Sequence, residues 1–402
     1  MQLDKNNIEL AEQTTCTGCA ACHDVCPTNS INLTYNNNIH SFPYIDSSSC
    51  IMCGKCMRVC PSLNPLEATS YKQQYYAAWV KDDLQRMQST SGGVGTALGK
   101  YALSLNYKVC GVCFDSDWNV RHKIIDNLVA LDSLRGSKYV QSDLRGVYEG
   151  INESLKQGFN VLFIGTPCQV AAVKRTIPQT CKSNLITCEI ICHGVNSPKV
   201  WSDYRASIEK KYNSPLLFYN FRSKSRGWQS KGGNKNLRVS YKFQNGIVVD
   251  EPAEQNQFHY WFGQHFILRE SCLHCEYRKE QRVADITIAD FWGVQKVIPY
   301  ADCFKGVSAV ITSSEKGEEF LKGVRDIEYI EVDESKTKSL LLGFVEKKNS
   351  VQISEEIARA RNFREEYMKK GYVAMERTYK HLNVISMFLS KVKYKFRMIY
   401  GK

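Results

Sequence analysis

The amino-acid sequence predicts a small α+β domain rich in cysteine, then a mixed α/β domain, then a helical C-terminal tail. Three observations carry that prediction. Two cysteine runs of identical spacing lie within residues 16–61, separated by a hairpin pattern. From residue 75 onward, short apolar runs end in turns that open helices, the pattern of β-loop-α units. After about residue 330 the chain turns charged, and over Ser354 to Lys370 Glu355 and Glu356 precede Arg359 and Arg361 at helical spacing.

The first run is Cys16-Thr-Gly-Cys19-Ala-Ala-Cys22-His-Asp-Val-Cys26-Pro27, the second Cys50-Ile-Met-Cys53-Gly-Lys-Cys56-Met-Arg-Val-Cys60-Pro61. Both read C-x2-C-x2-C-x3-C-P. Three closely spaced thiolates hold three corners of a 4Fe–4S cubane, and the fourth cysteine ligates the other cluster of the pair. That predicts Cys16, Cys19 and Cys22 with Cys60, and Cys50, Cys53 and Cys56 with Cys26. Zinc competes, but zinc sites pair C-x2-C knuckles across a gap and rarely place four cysteines in eleven residues, as each run does here. Gly18 and Gly54 suit loops whose backbone N–H groups approach sulfur, and Pro27 and Pro61 redirect the chain. Ile31 and Leu33, then Asn36-Asn37-Asn38, then Ile39, Phe42 and Tyr44, predict a hairpin between the runs. Residues 10–65 resemble a two-cluster bacterial ferredoxin.

Seventeen cysteines in 402 residues is unusual. Met1 to Gln13 is polar and acidic and lacks the apolar core of a secretory signal, which predicts a cytoplasmic protein. Disulfides are rare in that compartment, so dense cysteines read as metal ligands or redox groups. No run of about eighteen apolar residues occurs, so no membrane-spanning helix is expected. The net charge of +12 suits an anionic cofactor, an acidic protein, nucleic acid or a membrane surface without choosing among them.

Ser62 to Gln74 is polar and contains proline, and reads as a linker. Tyr75 to Val80 is a strand candidate. Ser89-Thr-Ser-Gly-Gly93 leads into a helix over Val94 to Leu103; the turn offers N–H groups to a phosphate, or simply caps the helix. Val109 to Phe114 reads as a strand whose Cys110 and Cys113 point to opposite faces, which makes them core residues. Val161 to Ile164 is a strand followed by a helix reaching Ile177, with Thr166 as N-cap and Pro167 as first helical residue. Cys168 then sits in the first turn, where the helix dipole favours its thiolate. Leu185 to Ile191 is the next strand; it ends in Cys192-His193-Gly194, and Ser197-Pro198 opens another helix.

Parallel strands joined in this way place their carboxyl ends on one edge of a sheet. Cys168 and Cys192 are therefore expected to face one crevice. The knuckle Cys272-Leu-His-Cys275 supplies two more ligands. Together the four predict a third site, with 4Fe–4S or zinc as occupant and a core role as the alternative for each cysteine alone. His193 either assists proton transfer or orients a neighbour. Asp285 to Trp292 alternates like a strand, and Asp290 reads as a ligand, a cofactor contact or a turn residue.

The motifs SGGVGTAL (91–98), GSKYVQSD (136–143), GTPCQ (165–169), CHGV (192–195), SCLHC (271–275) and DITIADFWG (285–293) resemble the beta-subunit family of coenzyme F-420 hydrogenases and dehydrogenases. That family is itself similar to 7-hydroxymethyl chlorophyll a reductase. The resemblance covers about residues 1–330. It implies an FAD-containing iron–sulfur oxidoreductase in which Ser91, Gly92, Gly93, Lys138, Tyr139, Gln141 and Ser142 line the flavin. It also supports Cys168, Cys192, Cys272 and Cys275 as ligands. The expected division is a ferredoxin-type domain over 1–68, two parts of a flavin domain over 69–150 and 151–330, and a helical basic extension over 331–402.

The expected function is to pass electrons between 4Fe–4S clusters and a flavin, reducing or oxidising an organic substrate or a deazaflavin-type coenzyme. An electron donor or acceptor protein, or a reduced coenzyme, is the expected partner. The alternative is a non-catalytic electron-transfer subunit feeding a partner enzyme, in a setting such as surface-polysaccharide biosynthesis. No nucleic-acid partner is expected. The basic segment with Arg222, Lys224, Arg226, Trp228 and Lys231 lacks a recognised motif, and is either an arm over an anionic ligand or a solvated loop. The basic apolar end, His381 to Lys402, reads as a weak membrane-surface contact or as a docked helix with a solvated tip.

Overall fold

The computed structural model describes residues 8–68, 70–229, 235–341 and 350–380. The N-terminal domain holds two short helices, α1 (Ala21–Asp24) and α2 (Lys55–Val59), around a hairpin of β1 (Ile31–Thr34) and β2 (Phe42–Ile45). The hairpin is antiparallel, with Ile31 opposite Ile45. Each helix follows directly on a cysteine loop. The predicted linker is shorter than expected, because Gln74 already belongs to β3 (Gln74–Val80).

The chain continues through α3 (Asp83–Gln88), α4 (Val94–Ser104), β4 (Lys108–Phe114), β5 (Val120–Ile125), α5 (Leu128–Leu134) and α6 (Val147–Lys156). Then follow β6 (Val161–Gly165), α7 (Pro167–Thr176), β7 (Leu185–Ile190), α8 (Pro198–Tyr212) and three strands, β8 (Leu216–Ser223), β9 (Arg238–Phe243) and β10 (Val248–Pro252). The last part holds α9 (Gln257–Gly263), β11 (Ile286–Asp290), β12 (Ser308–Thr312), α10 (Glu315–Gly323), β13 (Ile327–Glu331), α11 (Glu334–Leu341) and α12 (Ser350–Thr378). Thr166 caps α7 in a capping box with Gln169, and Pro167 opens it. Ser197 caps α8 by accepting from the Val200 N–H. Both helix starts are where the sequence puts them.

Among the described residues the central sheet has the order β13-β3-β12-β11-β7-β6-β4-β5. Its middle, β11-β7-β6-β4, is parallel, and the flanking pairs are antiparallel. The first strand of residues 69–150, β3, pairs with β12 and β13 from the far end of the chain. The two predicted parts therefore share one sheet. Leu162 and Ile186 face α4, α5 and α10, whereas Val161, Phe163 and Leu185 face α6, α7 and the N-terminal domain. Covering on both faces is what strands of near-continuous apolar sequence require.

A second layer packs β8 to β10, α8 and α9 around an aromatic core containing Trp201, Phe258 and Trp261. Phe363, Tyr367 and Met375 of α12 are buried in the same core. The charged segment after residue 330 is thus no free extension: its apolar stripe closes the molecule. Gly371, at φ +74°, breaks α12 into two helices. His381 to Lys402 lies outside the described residues. Among those described, no helix is long and apolar enough to cross a membrane.

Candidate functional site

The two cysteine loops share one backbone device. In each, the residues on either side of the second cysteine adopt a left-handed conformation: Gly18 (φ +66°) and Ala20 (φ +64°) around Cys19, Met52 (φ +50°) and Gly54 (φ +69°) around Cys53. The sequence signals only one glycine per loop. The other position is strained, since a side chain there meets the following carbonyl oxygen.

These turns bring the thiols together crosswise. Cys16, Cys19, Cys22 and Cys60 line one cavity, and Cys26, Cys50, Cys53 and Cys56 line a second. The first cavity is the inner one. Burial raises Cys19 to about 12, with repulsion from Cys60 and Cys16 adding to it. At the second, Cys53 and its neighbours Ile51 and Met52 are exposed. Burial also opposes ionisation of Cys26, but hydrogen bonds from Thr28 and Ser30 outweigh it and lower its pKa.

A third group of thiols forms where β6, β7 and the knuckle meet. Cys168 lies in the first turn of α7, where its sulfur sits 3.2 Å from Thr166 Oγ1. Cys192 follows β7, and Cys272 ends a short 3-10 turn over Glu270–Cys272. Burial pushes Cys168 well up, and Cys275, Cys192 and Cys272 each push it further. Burial likewise holds Cys192 at about 12 and Cys272 at about 11, Cys275 adding to both. Four partly buried thiols, three of them raised by the others, stay ionised only around cationic charge, so the donor set fits a metal centre. Arg278 closes the group, donating to the carbonyls of His193 and Cys272 at 3.0 and 3.3 Å. His193 Nε2 lies 2.8 Å from His265 Nε2, and His265 Nδ1 lies 3.4 Å from Glu356 of α12.

The inner loop and the third group are joined twice. Ser271, beside Cys272, donates its hydroxyl to the Cys16 carbonyl at 3.0 Å. Tyr277, two residues after Cys275, donates to the Pro61 carbonyl at 2.8 Å, next to Cys60. Tyr148 adds a bond to the Cys19 carbonyl at 2.6 Å. No sequence pattern marks Tyr277 or Tyr148, and Ser271 enters the SCLHC motif only beside its cysteines.

The flavin residues implied by resemblance divide into two sets. The Ser89–Gly93 turn meets the 136–142 segment through Thr90 and Ser137, whose hydroxyls lie 3.2 Å apart. Ser91 and Gly92 are turned to the sheet: the Ser91 hydroxyl donates to the Val307 carbonyl, and the Gly92 N–H donates to Ser308 Oγ. A Cβ at Gly92 would strike the Ala78 carbonyl oxygen, so the close approach requires glycine. Gly93 (φ +87°) starts α4 with no side-chain cap. Burial pulls the Lys138 ammonium down to about 7 while it donates to the Arg135 and Ser133 carbonyls. Tyr139 accepts from Arg222 at 2.8 Å. Gln141 and Ser142 are engaged elsewhere: Gln141 donates to the Gly18 carbonyl at 2.8 Å, and Ser142 accepts from Gln169 at 2.9 Å.

The solvated-loop reading of the basic segment fails for its first half. Arg222 pairs with Asp290 at 2.8 Å. Lys224, buried, donates to the carbonyls of Arg86, Ser91 and Lys305. Trp228 stacks on Trp292 with centroids 3.9 Å apart and bonds Asp290. Asp290 therefore serves Arg222 and Trp228 rather than a thiol group. Lys231 lies outside the described residues. Beside this wall, both ring nitrogens of buried His259 lack a side-chain partner. Cys110 and Cys113 are buried in β4, as the core reading requires.

Three family descriptions match this chain. Two describe the "Coenzyme F420 hydrogenase/dehydrogenase, beta subunit": its amino-terminal part covers residues 75–148, and its carboxyl-terminal part covers residues 159–338. The third, "4Fe-4S dicluster domain", covers residues 15–64. A curated relative, the coenzyme F420-dependent sulfite reductase of Methanocaldococcus jannaschii, is 27% identical over 175 residues, 42% of this chain. The match spans only 26% of that protein's length. A chain of the F420-reducing NiFe hydrogenase complex from Methanosarcina barkeri aligns over 79% of this chain and 99% of its own, at 18% identity and a TM-score of 0.47.

Proposed function

The chain belongs to the coenzyme F420 hydrogenase/dehydrogenase beta-subunit family and is an iron–sulfur electron-transfer protein of the oxidoreductase type; from that premise we propose that it carries three 4Fe–4S clusters and a flavin, and reduces or oxidises an organic substrate or a deazaflavin-type coenzyme. The observation that carries this reading is the double bridge through Ser271 and Tyr277 between the inner loop and the third thiol group. An electron path of covalent bonds and one hydrogen bond runs from Cys272 to Cys16. The outer thiols, with exposed Cys53, then form the end that a donor reaches, and the third group delivers to the crevice at the carboxyl ends of β6 and β7.

The donor sets fit clusters better than single ions. Four thiols ring each N-terminal cavity, and each run spaces its cysteines as 4Fe–4S loops do rather than as paired zinc knuckles. Zinc needs all its thiolates at about 2.3 Å. For the flavin, the residues that suit it are the uncapped start of α4 after Gly93, Lys138, and the wall of Arg222, Tyr139 and Trp292. Gln141 and Ser142 would reach it from the cluster loop and the start of α7, where they bond Gly18 and Gln169. A flavin bound there would take electrons singly and hand them on in pairs. Arg222 and Asp290 would hold its wall rigid, and stacked Trp228 and Trp292 would keep water out.

Anaerobic purification with iron, sulfide and flavin analysis tests the cofactors. About twelve irons and one flavin per chain are expected; about eight irons and no flavin would reduce the reading to the ferredoxin-type domain alone. The second reading, an electron-transfer subunit feeding a partner enzyme, is favoured by the apolar exposed rim of Ile51 and Met52 beside the outer thiols. Turnover of a reduced deazaflavin or dye by the isolated chain decides between them: turnover supports the enzyme, and its absence in fully loaded protein supports the subunit.

A further inference from the structure

Arg269 belongs to none of these thiol groups, and its surroundings are unusual. The side chain is wholly buried. Nε donates to Gln141 Oε1 at 2.8 Å, Nη2 to the Ser41 carbonyl at 2.6 Å and Nη1 to the Cys16 carbonyl at 3.3 Å. The guanidinium lies over the Phe42 ring, 4.6 Å from its centroid. Every acceptor is neutral, and no ion pair joins Arg269 to a carboxylate among the described residues. A buried guanidinium without a counter-ion is strongly unfavourable, so its charge calls for an anion close by.

The position of that anion follows from the loop. Gly18 stands between Cys16 and Cys19, and a Cβ there would lie 2.6 Å from Arg269 Cζ and would strike Gln141 Nε2. The loop bearing two inner thiols is thus laid directly on the guanidinium. The same segment continues to the third group: the Cys272 N–H donates to the Arg269 carbonyl at 3.0 Å. Of the acids near this segment, Asp24 is occupied with His23 at 2.9 Å, and Glu270 with Arg361 and Arg364. At the outer cavity, by contrast, the nearby cations Lys55 and Arg58 are solvent-exposed.

We propose that Arg269 is the buried counter-ion of the cluster held by Cys16, Cys19, Cys22 and Cys60, and that its charge raises the reduction potential of that centre over the outer one. The inference rests on the cluster assignment of those four cysteines. Reduction adds one electron from an external donor, breaks no bond, and makes the cluster and its thiolates more negative by one charge. A fixed positive charge in a dry site stabilises the reduced state more than the oxidised one. Arg269 is a positioning residue in this sense: it touches the loop and acts on the centre through its field. The outer centre, whose cations are screened by water, receives no such help, so electrons are drawn inward.

The test is a redox titration followed by electron paramagnetic resonance on anaerobically purified full-length protein, with dithionite as reductant and iron and sulfide measured in parallel. The Cys53→Ala variant identifies the outer signal and Cys168→Ala that of the third group, which leaves the inner one. Arg269→Gln is expected to lower the equilibrium constant for reducing the inner centre about tenfold, about 59 mV for one electron, with the outer signal unmoved. Arg269→Lys keeps the charge and is expected to stay within about threefold of the wild type. Gln141→Glu leaves Arg269 in place but supplies a carboxylate, and is expected to lower the same potential; it decides the matter if Arg269→Gln loses iron. Unchanged inner potentials in a fully loaded Arg269→Gln, or in Gln141→Glu where the first loses iron, overturn the proposal, as does an equal shift of the outer centre or a larger shift of the third group, whose Cys272 also feels this charge. Wild-type protein lacking acid-labile sulfide overturns the cluster assignment itself, and the arginine's role falls with it.

Discussion

A buried thiol is an ordinary hydrophobic residue until others are placed against it, and this distinguishes Cys168 from Cys110. Cys110 sits in β4, raised by burial and by Cys113 alone. Cys168 is raised by three other thiols as well as by burial, which leaves it as a ligand donor. Cys168→Ala should therefore remove about four of twelve irons per chain while leaving the N-terminal signals intact; iron analysis with unchanged content would refute the third centre. His122 makes a second residue-scale prediction. Burial lowers its pKa to about 4 while its Nε2 lies 3.1 Å from the Ile164 carbonyl. A depressed histidine contributes stability above its unfolded pKa of 6.5 and loses it as pH falls towards 4. The loss between pH 7 and pH 5 should be about 2 kcal/mol. His122→Phe should flatten that stretch of the stability profile, read by thermal unfolding at each pH.

At the scale of elements, the two cysteine loops are near copies that solve one geometric demand differently. Each needs two left-handed residues around its second cysteine, and each spends its single glycine on the opposite side. Met52 is exposed, so its strain has no packing to offset it. Met52→Gly should stabilise the domain by about 1 kcal/mol in denaturant unfolding. Gly18→Ala should do the reverse and more, because its Cβ would strike Gln141 and Arg269; loss of the inner cluster signal is expected. Gly136→Ala provides the control. It also has positive φ, +79°, but open space around it, so a cost of about 1 kcal/mol and unchanged iron content are expected.

Over the whole molecule, the N-terminal domain is docked on α6 and α7 through Cys19, Ala21, Tyr148 and Tyr277, all in one apolar cluster. The segment around Cys272 is the hub. It reaches the inner loop through Arg269 and Ser271, and α12 through Glu270, which pairs with Arg361 and Arg364. The charged C-terminal helix thereby clamps the third thiol group from behind. The outer cysteine loop carries Lys55 and Arg58 beside exposed Ile51 and Met52. If an acidic carrier protein docks there, Lys55→Glu with Arg58→Glu should slow reduction by such a carrier about tenfold at low salt. Reduction by dithionite should not change, and added salt should erase the difference. Equal rates with the protein donor at low salt would rule out docking at this end.

The sequence by itself determined what depends on local order. The spacing of eight cysteines specifies two loops, Thr166-Pro167 and Ser197-Pro198 specify two helix starts, and the apolar runs of β6 and β7 specify a parallel pair whose ends share an edge. Those are short-range rules of capping, turn geometry and strand burial, legible wherever the residues are contiguous. Only the tertiary structure decided which charges are buried and what they face. Arg222 and Lys224 read as an arm over an anionic ligand or as a solvated loop until Asp290, Ser91 and the Trp228–Trp292 stack decide against the loop. Gln141 gives no sign in the sequence of its bond to the Gly18 carbonyl, 123 residues away. Arg269 and Tyr277 carry no motif at all, and Ser271 stands in one only as the neighbour of Cys272. Their meaning lies in contacts across more than 200 residues, and contacts at that separation are set by how the domain docks, not by any local preference of the chain.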